Sequence, residues 1–377
     1  MKKQRILYCS ENYSPHDHRF LTALGMSGHE IYWLRLEEGG RVQEIRPLPD
    51  AVIPVAWRKN QKPVEWPDYK DLAQQFYSAV ELVKPDLIHA GPVQRVAYLP
   101  VLIDFHPLMV MSWGFDLLED VRRDETWEEN TRFVLKHCDW FTSDCRTTQE
   151  IAINFGMPES RTTVFPWGVD QKIFNPDGRG SLRRQFGYTE DLLIAHTRSW
   201  EPRYGVDIAL EGFFLALQEV PNLQLLLFGS GSQENQIRSF ISEKGISDRV
   251  HFCGYKENEA LARYYQAADV YLSASHIDGS SVALMEAMAC GCPALVSDIP
   301  ANMEWISDGV QGWVFRDGNA KHLAEKIVRI AGQSKERQRC GKNAQSKAKI
   351  EANWQKNFAK LMESYQLMVN FSRRSGK

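Results

Sequence analysis

Nothing in the 377 residues approaches the roughly 20 consecutive apolar residues of a membrane-spanning helix, so the sequence does not read as an integral helical membrane protein. A one-signed charge excess is missing too. The 45 Lys and Arg against 48 Asp and Glu leave a formal charge of -3, with no basic field for gripping nucleic acid. Cysteines are few, odd in number and scattered at positions 9, 138, 145, 253, 290, 292 and 340, which argues for reduced thiols and against a disulfide framework. Cys290 and Cys292 form a lone C-x-C, with no Cys or His cluster nearby to complete a tetrahedral site, so no metal is expected. The start, Met1-Lys2-Lys3-Gln4-Arg5, runs straight into a strand-like segment without a cleavable signal, and a cytoplasmic location is the expectation.

What is present is a folded globular composition, 43% hydrophobic and 25% charged, at a length that suits two domains of roughly 150 to 200 residues with a cleft between them. Ile6 to Ser10, the helically spaced Phe20 to Met26 ending at Gly28, and Ile31 to Leu36 read as a β-α-β unit. Leu87–Ala90 and Leu108–Ser112 read as further buried strands. Turn formers gather between Val164 and Gly178, where an interdomain linker is expected. Alternation then resumes, with strands at Leu192–His196, Gln224–Phe228, Val250–Phe252, Val270–Ser273, Ala294–Ser297 and Gly312–Phe315 separated by helical segments. The fold class is therefore α/β, two doubly wound Rossmann-like domains facing a cleft. The expected division is an N-terminal domain 1–170, a C-terminal domain 171–353, and a C-terminal helix in 354–377 that returns to the N-terminal domain and ends in a disordered basic tail.

In such sheets ligands bind beyond the carboxyl ends of the strands, so the loops beginning at His196, Gly229, Gly254, Ser275 and Ser297 share one edge. The most informative loop runs from Ser275 through Asp278-Gly279-Ser280-Ser281-Val282 into a helix that carries Glu286. Small residues let the backbone approach a ligand, and the free N–H groups at a helix start form a seat for a diphosphate. Glu286 can accept from vicinal hydroxyls such as those of a ribose, and Asp278 from hydroxyls of a sugar. The plainer alternative makes Asp278 a helix cap and Glu286 a surface residue. Against it stand the apolar neighbours Leu284, Met285, Ala287, Met288, Ala289 and Cys290, which predict a buried carboxylate in need of a partner.

The run from Asp278 to Pro293 resembles the acid-x7-Glu signature of family four, the retaining sugar-nucleotide-dependent glycosyltransferases of GT-B type. Similar landmarks cover nearly the whole chain: Pro85 to Ala90, Gly168-Val169-Asp170, Phe228 to Gly231, Val250 to Tyr255, and Gly309 to Trp313. The resemblance implies that Glu286 binds the donor ribose and Asp278 the transferred sugar, although relatives usually carry the longer Glu at the latter position. It also implies diphosphate contacts from Gly279, Ser280, Ser281 and Val282, and base contacts along Gly254 and Tyr255, with Gly229 on the same edge. Arg198 matches the arginine of the family's phosphate loop. Six residues on, where relatives have lysine, this chain has Tyr204, and either Arg203 or the Tyr204 hydroxyl would have to compensate.

With the ligand edge described above, the resemblance makes 1–170 the acceptor domain and 171–353 the nucleotide-sugar donor domain. The first domain departs further from the family pattern. Relatives often have His-Gly-x-Asp where this chain has Trp113-Gly114-Phe115-Asp116, and their glycine-rich first loop is replaced by Glu11 to Arg19. A tryptophan cannot move protons but can wall a sugar face, so Trp113 reads as an acceptor platform or as packing. His16, His18, His89 and Asp116 are the other acceptor-side candidates.

The expected activity is retaining transfer of a sugar from a nucleoside-diphosphate sugar to a hydroxyl acceptor, in glycan or glycoconjugate biosynthesis, with no cofactor and no metal. A carbohydrate, lipid-linked or small-molecule acceptor stays open, as does peripheral membrane contact. Two rivals also remain: a catalytically weak nucleotide-sugar-binding partner, to which Tyr204 and Trp113 point, and an epimerase of similar fold using His16, Asp17, His18 and His89.

Overall fold

The structure, a computed structural model, describes residues 3–38, 44–58, 63–178, 181–186 and 191–375. The chain divides into two compact units, one of Met1–Phe165 with Phe358–Lys377 and the other of Pro166–Asn357.

In the first unit seven strands, β1 (Arg5–Ser10), β2 (Glu30–Arg35), β3 (Val52–Pro54), β4 (Leu87–Ala90), β5 (Leu108–Met111), β6 (Trp140–Ser143) and β7 (Thr162–Val164), form one sheet in the order β3-β2-β1-β4-β5-β6-β7. Every pairing is parallel. The central strands β4, β5 and β6 are buried throughout, as a parallel sheet covered on both faces requires. The helix after β1 spans Pro15–Gly25, earlier than the apolar spacing suggested. Ser14 caps it, Asp17 returns the bond to the Ser14 N–H, and Pro15 fills the first turn. His16, Asp17 and His18 therefore lie on the helix and not in a loop, because a capping box with proline sets the start more strongly than polar composition delays it.

The C-terminal helix, Trp354–Arg374, buries Leu361, Tyr365 and Met368 at helical spacing. It is tied to the first unit by a 2.6 Å hydrogen bond between Tyr365 and His89 and by a 2.9 Å bond from Ser364 to Thr163. Arg373 and Arg374 are helical, so they are not part of a disordered tail; Gly376 and Lys377 lie outside the described residues.

The second unit holds β8 (Leu192–His196), β9 (Leu223–Phe228), β10 (Val250–Gly254), β11 (Val270–Ser273), β12 (Ala294–Ser297) and β13 (Gly312–Phe315), in the order β10-β9-β8-β11-β12-β13. All are parallel, and the order reverses between β8 and β11, the switch point where a doubly wound sheet opens a crevice. One face is covered by helices Val206–Leu217 and Ala320–Ala331, the other by Asn258–Ala267 and Val282–Ala289.

The boundary between the units, at Phe165 and Pro166, falls inside the turn-rich segment expected to be a linker, and the rest of that segment packs onto the second unit. The Val169 N–H donates to the Ala352 carbonyl at 2.8 Å, Phe174 is buried, and the Asn175 carbonyl accepts from Gln266 at 2.8 Å. Turn residues end periodicity without ending burial. Among the described residues no helix is long and apolar enough to cross a membrane, and all seven cysteines are free thiols.

Candidate functional site

The loops leaving β8 and β11 flank the switch point, and they carry the charged centre of the second unit. The guanidinium of Arg198 lies 2.8 Å from the Asp278 carboxylate as an ion pair, each side chain only 13% exposed. A second nitrogen of Arg198 donates to the Ser281 hydroxyl at 3.0 Å. Ser281 is the N-cap of the helix Val282–Ala289 and accepts from the Leu284 N–H at 3.4 Å, so the arginine is attached to the start of that helix. Burial is the largest influence on Arg198 and works against its charge, but the Asp278 carboxylate together with Tyr204, Tyr271 and Tyr265 outweighs it and holds the guanidinium protonated. The Nε of Arg198 is buried without a hydrogen-bond partner, as are both ring nitrogens of His196 at the end of β8.

Backbone contacts fix the two loops against each other. The Arg203 carbonyl accepts from the His276 N–H at 2.9 Å. At Gly205, with φ of +57°, a Cβ would fall 2.1 Å from the Ala274 carbonyl, so only glycine permits this approach. His276 in turn pairs with Asp317 at 2.5 Å, and the Asp317 N–H donates to Asp298 at 2.8 Å, which connects the loops after β11, β12 and β13.

Glu286 differs from expectation in its burial. It is half-buried, sharing with Val282 and Ala283 the exposed stripe of a helix whose remaining residues Leu284, Met285, Ala287, Met288 and Ala289 are buried. Flanking apolar residues bury their own face of a helix and leave the i, i+3, i+4 stripe open. Its carboxylate accepts a hydrogen bond from Tyr265 at 3.2 Å, and the Tyr265 hydroxyl also bonds Thr197 at 2.8 Å, bridging the Arg198 loop to Glu286. Tyr265 is fully buried on the helix Asn258–Ala267. No sequence pattern signals this bridge, since a tyrosine 21 positions away meets Glu286 only through the tertiary fold.

The other donor-side candidates fall along the same edge of the second unit. Ser280 is buried with its hydroxyl accepting from Trp305 at 3.0 Å, so its side chain faces inward and only its backbone can serve a ligand. Gly229 adopts φ of +90° against the Arg198 carbonyl, and Tyr255 after Gly254 is 81% exposed. Arg203 and Gly279 belong to the loops just described, and Val282 opens the helix.

The acceptor-side candidates lie in the first unit. His89 is fully buried, bonded to Tyr365, and depressed by burial to a pKa of about 3, which makes it a fastening for the C-terminal helix. Asp116 is also fully buried and accepts from the Val93 N–H, the Ser112 hydroxyl, the Trp113 N–H and the Leu117 N–H at 2.7 to 3.1 Å. These bonds make it the organiser of the loop after β5 and remove it from contact with an acceptor. Asp116→Ala strands four donors and is expected to cost about 3 kcal/mol, a fall in Tm of roughly 6–12 °C measurable by calorimetry. Trp113 and His16 do come together, ring centroids 5.7 Å apart, with the edge of Phe20 at 6.1 Å. His18 bonds the Tyr13 hydroxyl at 2.7 Å.

Asp17 is buried, accepts from Ser14 and Tyr8, and is pushed by burial up to about 6 from 3.8. A folded-state value above the unfolded one means that ionisation opposes folding. The stability Asp17 contributes is present below about pH 4 and lost as the pH rises through about 6. Asp17→Asn should lack this slope, and urea titrations of both proteins at pH 4 and pH 7 check it.

Among the described residues no group of three or more His, Cys, Asp or Glu is placed to hold a metal ion. Residues 180–347 match the sequence model of the glycosyl transferases group 1. The amylovoran biosynthesis glycosyltransferase AmsK of Erwinia amylovora is 29% identical over 192 residues, 49% of this chain and 46% of that protein. The chain spans about half the length of the curated relatives it matches, 38 to 62%. Sucrose-phosphate synthase from Thermosynechococcus elongatus superimposes with a TM-score of 0.80 at 18% identity, over 97% of this chain and 99% of that one. HepE of Anabaena, in complex with UDP-glucose, does so with a TM-score of 0.77 at 19% identity, over 96% and 99%. Residues 180–347 are thus similar to the glycosyl transferases group 1, within a chain whose two Rossmann-like units have the GT-B fold.

Proposed function

We propose that this protein transfers a sugar from a nucleoside-diphosphate donor to a hydroxyl acceptor with retention at the anomeric carbon. The observation that carries the proposal is the meeting of Arg198, Asp278 and the Ser281 cap at the switch point of the second unit, with Glu286 on the open stripe of the capped helix. The N–H groups at the start of that helix and the guanidinium of Arg198 suit a diphosphate. The orphaned Nε of Arg198 is one more donor for its oxygens. Glu286 suits the vicinal hydroxyls of a ribose. The names of the relatives support glycosyl transfer, and the UDP-glucose bound to HepE makes UDP and UDP-glucose the first probes.

In this reading, charge that builds on the leaving diphosphate as the glycosidic bond breaks is met by Arg198 and the helix amides, fixed before the reaction begins. The acceptor oxygen attacks from the same face, and its proton passes to the departing phosphate oxygen. Because Arg198 and the amides meet the diphosphate charge, the proposed reaction uses no metal, and its rate should be unchanged by a chelator. Tyr265 holds the Glu286 carboxylate from behind, so Tyr265→Phe is expected to weaken UDP binding by about fivefold through loss of one hydrogen bond to a charged group.

The test is a thermal-shift screen of nucleoside diphosphates and their sugars, followed by product analysis with and without an acceptor. Glycoside or slow hydrolysis product of retained configuration is expected, and an epimerised donor would overturn the reading. The burial of Asp17 and His89, two of the four groups an epimerase would recruit, already speaks against that rival.

A further inference from the structure

The diphosphate loop of this chain keeps one of its two expected cations and has an aromatic ring in place of the other. The Cζ of Arg198 stands 4.1 Å from the centroid of the Tyr204 ring. An arginine so close to a tyrosine face is held by the ring's quadrupole, more strongly as water is excluded. We propose that Tyr204 is a positioning residue acting through Arg198: its ring is a platform that fixes the remaining guanidinium toward the diphosphate, and its hydroxyl takes no part. The inference rests on the glycosyl-transfer reading.

Three surfaces then define the guanidinium: the Asp278 carboxylate, the Ser281 hydroxyl and the Tyr204 ring. The first two fix its terminal nitrogens in the plane of the fork, and the ring supplies the contact that a carboxylate and a hydroxyl cannot. The platform is itself anchored. Tyr204 ends the short turn Pro202–Tyr204, its N–H donates to the Glu201 carbonyl at 2.9 Å, and the adjoining Gly205 is pressed against Ala274. The Arg203 carbonyl before it receives the His276 N–H. The ring is therefore placed by backbone contacts with the loop after β11, the loop that also carries Asp278. A lysine would add charge at this position but no face. The chain instead relies on one guanidinium held in place before charge develops, an arrangement expected to act on the chemical step more than on donor capture.

The experiment compares Tyr204→Phe and Tyr204→Leu with the wild type. In the ligand-free proteins, the Arg198 side-chain Nε–H resonance is followed by NMR for its ring-current shift. In parallel, UDP affinity is measured by calorimetry and UDP-glucose turnover by kinetics. The phenylalanine variant should keep the ring-current shift and stay within about twofold of wild type in kcat. The leucine variant, of similar apolar bulk and unchanged Tm, should lose the shift and fall about tenfold in kcat, with donor KM changed less than threefold. Loss of activity in the phenylalanine variant would assign the role to the hydroxyl, and equal activity of leucine and phenylalanine would reduce Tyr204 to packing. Either result overturns the inference while leaving the transferase reading in place. A wild type that binds no nucleoside diphosphate would overturn both.

Discussion

Arg198→Ala is expected to lower the rate of sugar transfer by about two to three orders of magnitude, the usual consequence of removing one preorganised donor from a developing anion. Arg198 is the hub of the second unit's ligand edge. It pairs with Asp278, donates to the helix cap Ser281 and stacks on Tyr204, and its Nε remains unbonded. The alanine variant also leaves Asp278 buried without its counter-ion, a loss expected to lower stability as well. Arg198→Lys separates the two effects. It keeps a charge beside Asp278 and so should preserve most of the stability, but an ammonium cannot form the planar fork or stack equally well on Tyr204. Transfer by the lysine variant should therefore stay at least tenfold below wild type with Tm nearly restored. Full activity in the lysine variant would mean that charge alone matters at this position.

The second large effect belongs to Glu286. Its carboxylate sits on the open stripe of the capped helix and is oriented by Tyr265, which is itself held by Thr197. If it accepts two hydrogen bonds from a ribose, Glu286→Ala removes two charge-assisted contacts and should weaken nucleoside-diphosphate binding by about a hundredfold. Because the side chain is half-buried on a surface stripe, the variant should fold with little change in Tm. Glu286→Gln keeps one acceptor oxygen and should fall between the two. The same stripe carries Val282 and Ala283, whose short side chains leave the carboxylate accessible.

Much of this architecture could be read from the residues because parallel strands buried on both faces are nearly continuous apolar runs, and helices between them keep a 3.6 period. Strands β8, β11, β12 and β13 were found with the boundaries the sequence suggested. Strand β3, three residues of which two are exposed, carries too little pattern to be recognised, and β7 lies at the start of a turn-rich stretch. The first helix began earlier than expected because Ser14, Pro15 and Asp17 form a start signal inside a run that otherwise looks like a polar loop.

At the candidate site, the loop-to-helix pattern brought Asp278, Ser281 and Glu286 into view, since they are close in sequence. What it could not show were contacts closed by tertiary packing. Tyr265 reaches Glu286 from another helix, Trp305 turns Ser280 inward, and Arg198 engages Asp278 across the switch point. His89 and Asp116 looked functional because titratable groups at strand ends often are. Their complete burial and internal hydrogen bonds give them structural work. Residue type marks where charge is available, and only the fold decides whether that charge meets solvent.

The central claim, that the second unit holds a nucleoside diphosphate through Arg198, the capped helix and Glu286, is tested most directly by calorimetric titration of UDP and GDP into the wild type and Glu286→Ala. The account predicts saturable one-site binding of at least one nucleotide to the wild type, weakened about a hundredfold in a variant of unchanged Tm. Equal affinity in the two proteins, or no binding of either nucleotide by the wild type, would contradict it.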